Sequence, residues 1–237
     1  MKIGIYGDSF AASHKESTNI AWFNVLPKLI SNSNTVSYGM GATSVYYSYK
    51  LFLETYTNYD QIIFLVTEPG RYTKPVTFLN FPEGWYFGNI THVENLLKKD
   101  TISGIDKKML EHLLGWFFCA DDDFHTDANE LMLRHIETLH EKVLFFPCFN
   151  NSLKPDRLHK LGLKNNQNAI TILFRQIELL KDFDSSNENL NTISCHLTEE
   201  FNLFLAEVLA TKLLTNIWNF DKLNDIKLIH DTNYYLA

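Results

Sequence analysis

Lys2-Ile3-Gly4-Ile5-Tyr6-Gly7-Asp8-Ser9-Phe10 opens the chain with a short apolar run that stops at a Gly-Asp-Ser turn. Residues 2–6 read as a buried strand, because an apolar run bounded by turn residues suits a strand covered on both faces. Three later runs have the same character: residues 35–38 (TVSY), 61–66 (QIIFLV) and 142–147 (KVLFFP). Between them lie segments with helical spacing of apolar residues, at 20–31, 44–56, 105–119, 127–141, 165–181 and 198–216. Pro27 is expected to kink or end the first of these. The last is read as a strongly amphipathic helix, with Thr198 as N-cap and Glu199 and Glu200 in its first turn. Residues 149–164 read as loop, and the last twenty residues as a tail. Strands alternating with helices predict an α/β fold, with a mostly parallel sheet covered by helices on both faces.

In such sheets, ligands bind outside the carboxyl ends of the strands. Ser9, Gly41 and the turn Thr67-Glu68-Pro69-Gly70-Arg71 each follow a strand. They are distant in sequence and are expected to converge. Residues 72–104 carry Pro75, Pro82, Gly84 and Gly88 among many aromatics and read as a long insertion, a lid or a substrate wall. Phe78, Phe81, Trp85, Tyr86 and Phe87 would line a sugar or acyl pocket, or form the insertion's own small core.

The chain has 237 residues, 45% of them hydrophobic, which is enough for one sizeable core and a single domain over 1–237. A formal net charge of −7 and a pI near 5.7, with scattered Lys and Arg, argue against nucleic acid as a partner. Cys119, Cys148 and Cys195 are far apart, without C-x-x-C spacing, so neither a disulfide framework nor a zinc knuckle is expected. No signal peptide precedes the first strand, and no apolar run approaches the roughly 18 residues of a membrane span. The protein is therefore expected to be soluble and cytoplasmic, without a membrane partner; a virion or host-lysis route would leave no mark in the sequence. The oligomeric state is not legible.

Serine is a weak nucleophile until a base takes its proton. A serine just past a strand also sits beside backbone N–H groups that can hold an oxyanion. Ser9 fits that description, and it equally fits a plain helix cap. The base candidate is His196, in Ser194-Cys195-His196-Leu197-Thr198 just before the final helix. An imidazole titrating near neutrality suits general base and then general acid work. The chain holds nine histidines, so a surface role is the bland alternative.

Three segments taken in order carry a resemblance. They are Ile5-Tyr6-Gly7-Asp8-Ser9-Phe10, then Tyr38-Gly39-Met40-Gly41-Ala42-Thr43-Ser44, then Cys195-His196-Leu197-Thr198 leading into Leu205-Ala206-Glu207-Val208-Leu209. The chain resembles the GDSL/SGNH hydrolase superfamily. The resemblance implies a three-layer α/β/α sandwich with a flavodoxin-like sheet, Ser9 as nucleophile, His196 as base, and the amides of Ser9 and Gly41 as oxyanion donors. It implies an ester hydrolase acting through an acyl-enzyme on a small ester or an acylated saccharide, with no cofactor and no metal. A non-catalytic binding or structural module on the same fold, and an O-acyltransferase, are the alternatives.

Two departures matter. The family usually has Gly-x-Asn-Asp after the third strand, where the asparagine side chain is the third oxyanion donor. Here Val66-Thr67-Glu68-Pro69-Gly70-Arg71 holds no asparagine. Arg71 is the first substitute, because a guanidinium stabilises developing negative charge. Thr67 is another, and Asn150 and Asn80 are more remote. The family also commonly places Asp three residues before the histidine, and that position is Ile193. A backbone carbonyl or a distant acid would then orient His196, as a Ser–His dyad. Asp121, Asp122, Asp123, His125 and Asp127 read as an acidic loop before a helix rather than a metal site. Cys195 beside His196 reads as a structural cysteine.

Overall fold

The computed structural model describes residues 1–12, 21–41, 43–71, 90–98, 104–119, 122–149, 152–166, 197 and 199–224. Among them four strands form one parallel sheet in the order β2-β1-β3-β4, with β1 Lys2–Tyr6, β2 Asn34–Ser37, β3 Gln61–Val66 and β4 Val143–Pro147. The register pairs Ile3 with Thr35 on one side and with Gln61 on the other, and Ile63 with Leu144. All four match the apolar runs within a residue. β1 and β3 are central and almost wholly buried, which is why they read as continuous hydrophobic runs.

The strand order dictates where the helices go. Parallel strands need a crossover, and the crossover is right-handed. From β1 to β2 the chain steps one way through α1 (Trp22–Leu29). From β2 to β3 it steps back past β1 through α2 (Val45–Thr55), which therefore lies on the opposite face. The step to β4 continues in that second direction through α5 (Asp122–Leu139), so α5 joins α2. The final helix, α7 (Glu199–Thr215), packs on α1. The sheet thus lies between two helical layers. Tyr6 points to the α2 side, edge-on to Phe52 with ring centres 5.6 Å apart. Alternation sends Ile3 and Ile5 to the α1 side.

The direction reverses between β1 and β3, at the topological switch point of the sheet. Open α/β sheets form their ligand crevice there, outside the strands' carboxyl ends. The residues that follow β1 and β3 are Gly7-Asp8-Ser9 and Thr67 to Arg71.

Several expectations from the sequence need correcting. Residues 149–164 are not all loop, since Pro155–Lys160 form a short helix, α6, with proline in its first turn where the missing N–H costs nothing. Arg157 of α6 is buried and holds Glu130 and Glu137 of α5 at 2.7 and 2.9 Å, its guanidinium 5.1 Å from the Phe145 ring centre. Asp122 and Asp123 lie inside α5 rather than in a loop before it. α7 is not one-faced: Phe201, Asn202, Phe204, Leu205, Ala206, Val208, Leu209 and Ala210 are all buried. Nor are the last twenty residues all tail, because Phe220 and Leu223 enter the same core. Of the aromatic segment 72–104, residues 72–89 and 99–103 lie outside those described. Its remainder forms α3 (Ile90–Leu97), which packs on α4 (Gly104–Cys119). The helix expected over 165–181, and Thr198 as N-cap, also fall outside, apart from a 3-10 turn at Lys164–Asn166. No described helix is long and apolar enough to cross a membrane.

One buried polar side chain ties the α1 layer together. Asn202 is fully buried; its Oδ1 accepts from the Trp22 amide at 2.9 Å, and its Nδ2 donates to the Leu197 carbonyl at 2.9 Å. Trp22 in turn donates its indole Nε1 to the Phe10 carbonyl at 2.7 Å. Three hydrogen bonds therefore join the residue after Ser9 to residue 197. Asn202→Leu keeps the volume but strands a buried N–H and a buried C=O, each costing about 1–3 kcal/mol. In a chain of this size the melting temperature should fall by roughly 5–15 °C. Thermal denaturation within a degree of wild type would mean the strut carries nothing.

Candidate active site

Ser9 begins a single 3-10 turn, Ser9–Ala11, directly after β1. Ile3 to Tyr6 of β1 are buried, and the turn follows at the carboxyl end of this central strand. The cap of this turn is Asp8, not Ser9: Asp8 Oδ1 accepts from the Phe10 amide at 3.1 Å. The Ser9 hydroxyl is thus not spent on capping. Ser9 is 7% exposed.

The segment after β2 folds onto this turn. Gly39 bridges to Ala12 in parallel fashion, Ser37 Oγ donates to the Ala11 carbonyl, and the Met40 amide donates to the Gly7 carbonyl at 3.3 Å. Thr43 Oγ1 closes the loop on the Met40 carbonyl at 2.8 Å. Gly41 is thereby set against Ser9, because a side-chain carbon added to Gly41 would sit 4.0 Å from Ser9 Cβ. Ser9 and Gly41 converge as the strand ends implied. Among the described residues neither amide donates to a protein acceptor.

The turn after β3 arrives from the other side and meets Asp8. Thr67 Oγ1 donates to Asp8 Oδ2 at 2.8 Å, and Arg71 Nη1 donates to the same oxygen at 2.8 Å. Arg71 Nε goes to Glu68 Oε1 at 2.8 Å, and its guanidinium carbon lies 5.0 Å from the Phe149 ring centre. Phe149 meets Phe10 edge-on at 5.9 Å. Arg71 therefore reaches the site, but with Nε and Nη1 given to carboxylates. Thr67, weighed as a donor to substrate, is a donor to Asp8. Gly70 takes a positive φ of 80° and brings the turn beside His125 of α5, whose Cδ2 would lie 3.8 Å from an added side-chain carbon.

Cys148 follows β4 and is buried at the same end of the sheet. Burial pushes its thiol pKa well up, the Asp8 charge adds to that, and Arg71 opposes it. It stays a thiol near neutrality. Asp127 is paired with Lys154, and no group of three or more metal-ligating side chains occurs among the described residues. His196, Asn150, Asn80 and Cys195 lie outside the described residues. Leu197, next to His196, is buried and fixed through Asn202 to Trp22 and so to Phe10.

Sequence reasoning assigned Asp8, Phe149, Trp22 and Asn202 no role. Asn202 left a legible signal, as an amide in the otherwise apolar run Phe201-Asn202-Leu203-Phe204-Leu205. A polar group there is buried only at a cost unless it is bonded.

No protein-family model and no curated protein matches the chain. Among solved structures it is similar to a lipolytic protein of the G-D-S-L family from Desulfitobacterium hafniense DCB-2, at 11% identity and a TM-score of 0.37, over 88% of this chain and 97% of that one. It is also similar to a member of the lipolytic protein G-D-S-L family from Veillonella parvula DSM 2008, at 12% identity and a TM-score of 0.34, over 91% and 98%. At these identities and scores the likeness assigns no activity.

Proposed function

We propose that the chain is a serine ester hydrolase with Ser9 as nucleophile. The observation that carries this reading is the place of Ser9: on a tight turn at the switch point of a parallel sheet, capped by its neighbour, with Gly41 against its side chain. Ser9 Oγ attacks the acyl carbonyl while His196 takes its proton. The amides of Ser9 and Gly41 receive the oxyanion, where preorganised donors matter most. His196 then protonates the departing alcohol, and an acyl-Ser9 ester remains. Water, deprotonated by His196, attacks that ester and releases the acid. The substrate class is a small ester or an acylated saccharide, the latter motivated by the aromatic run Phe78 to Phe87. No cofactor or metal enters this scheme.

The test is direct. A fluorophosphonate probe incubated with the purified chain should label Ser9, as mapped by peptide mass spectrometry, and p-nitrophenyl acetate should be turned over. Folded protein that takes up no label at Ser9 would refute the reading and favour a non-catalytic module. Product analysis with sugar acceptors separates hydrolysis from acyl transfer.

A further inference from the structure

Arg71 stands where the resemblance calls for an oxyanion donor, but its surroundings suit another task. We infer that Arg71 is a positioning residue that holds the Ser9 turn through Asp8; this rests on the serine hydrolase reading above. The Asp8 side chain is fully buried. Three donors satisfy it, the Phe10 amide, Thr67 Oγ1 and Arg71 Nη1, and two of these come from the turn after β3. Asp8 is covalently joined to Ser9, so whatever fixes Asp8 fixes the nucleophile's approach.

Arg71 is itself fixed, by Glu68 on one edge and by the Phe149 ring beneath it. Phe149 touches Phe10, and Phe10 leads back along the chain to Asp8. The circuit clamps the Ser9 turn from its carboxylate side and from its ring side. It joins the carboxyl ends of β1, β3 and β4, on both sides of the switch point.

Direct stabilisation of an oxyanion is a poor fit to the same geometry. Arg71 lies between two carboxylates, so the trio of Asp8, Glu68 and Arg71 carries a net negative charge. Such a group offers little positive potential to a developing oxyanion. Its removal, in contrast, leaves the Asp8 carboxylate buried and uncompensated, beside the uncharged Cys148 thiol.

The two roles part in a double variant. Arg71→Met should slow fluorophosphonate labelling of Ser9 by about 100-fold, as a misplaced nucleophile does. Asp8→Asn with Arg71→Met removes both charges. The carboxamide introduced by Asp8→Asn can still accept from the Phe10 amide through its oxygen, and its nitrogen can donate to Thr67. Labelling should then recover to within roughly 10-fold of wild type, because the two sites are coupled. A direct donor would not be replaced by this change, since phosphonylation also builds charge on oxygen.

Far-UV circular dichroism and thermal melts accompany each variant. If Arg71→Met does not fold, the double variant alone decides: folded and labelled supports the inference, folded and slow overturns it. A single Arg71→Met that labels at the wild-type rate overturns it too, while the hydrolase reading stands. Wild type that leaves Ser9 unlabelled removes the hydrolase reading and this inference with it.

Discussion

Ser9→Ala is expected to reduce hydrolysis of p-nitrophenyl acetate by on the order of 10⁴-fold or more, towards the uncatalysed background. The melting temperature is expected to stay within about 2 °C of wild type, since one hydroxyl contributes about 1 kcal/mol at most here. What caps the 3-10 turn decides between the two roles of Ser9. Were Ser9 the cap, its loss would destabilise the turn and spare the chemistry. The cap is the Asp8 carboxylate on the Phe10 amide, and that bond survives the substitution. The two readings of Ser9 therefore predict opposite results from one variant. Stability lost with turnover kept would return Ser9 to a capping role. Turnover lost with stability kept assigns it the reacting oxygen. Turnover and melting are both measured on the same preparation, so poor folding is not mistaken for lost catalysis.

The sheet was the most legible part of the sequence. Ile62 to Val66 and Leu144 to Phe146 are buried on both faces, and residues in that setting are selected for apolarity without alternation. Convergence of Ser9 with Gly41 followed from topology alone, because both follow parallel neighbours in the sheet. What could not be read was the partner set. Thr67, Arg71 and Phe149 reach Asp8 and Phe10 from the ends of β3 and β4, and no local spacing announces contacts between such distant segments. Arg71 meets the Asp8 carboxylate, a contact that no spacing in the sequence announces. The charge it meets, Asp8, was visible in the motif but silent as to its partner.

Helix boundaries failed where tertiary packing overrides pattern. Pro155–Lys160 is under two turns long and mostly polar, so periodicity had too few residues to register. Residues 198–216 read as a strongly amphipathic helix with Glu199 and Glu200 in its first turn. It is buried around most of its length because α1 packs on it and Phe220 closes over Phe204, ring centres 6.4 Å apart. Beyond the helix, Trp218 returns to the sheet side, 5.4 Å from Phe146 and bonded to the Leu161 carbonyl.

The second large effect concerns Gly39 and separates stability from site geometry. Gly39 passes so close to the Ser9 turn that an added side-chain carbon would lie 2.1 Å from Ala11 C, 2.3 Å from Ala11 O and 2.5 Å from Ala12 N. All three are backbone atoms, so no rotamer can move aside. Gly39→Ala must push two chain segments apart, against the Ala12–Gly39 bridge and the Ser37 bond to Ala11. Overpacking of this kind costs about 3 kcal/mol, at the top of its usual range. The melting temperature should fall by roughly 10 °C. The same displacement carries Gly41 away from Ser9, so labelling of Ser9 should slow by about 100-fold in protein that remains folded. Gly41→Ala is the control, because its new carbon would meet Ser9 Cβ at 4.0 Å, an ordinary contact. It should melt like wild type and still slow labelling, since the methyl group enters the space beside Ser9. Gly39→Ala with a wild-type melting temperature would mean that the segment after β2 is not held against the Ser9 turn. If Gly41→Ala also labelled normally, the space its methyl group fills beside Ser9 would not be space the reaction uses.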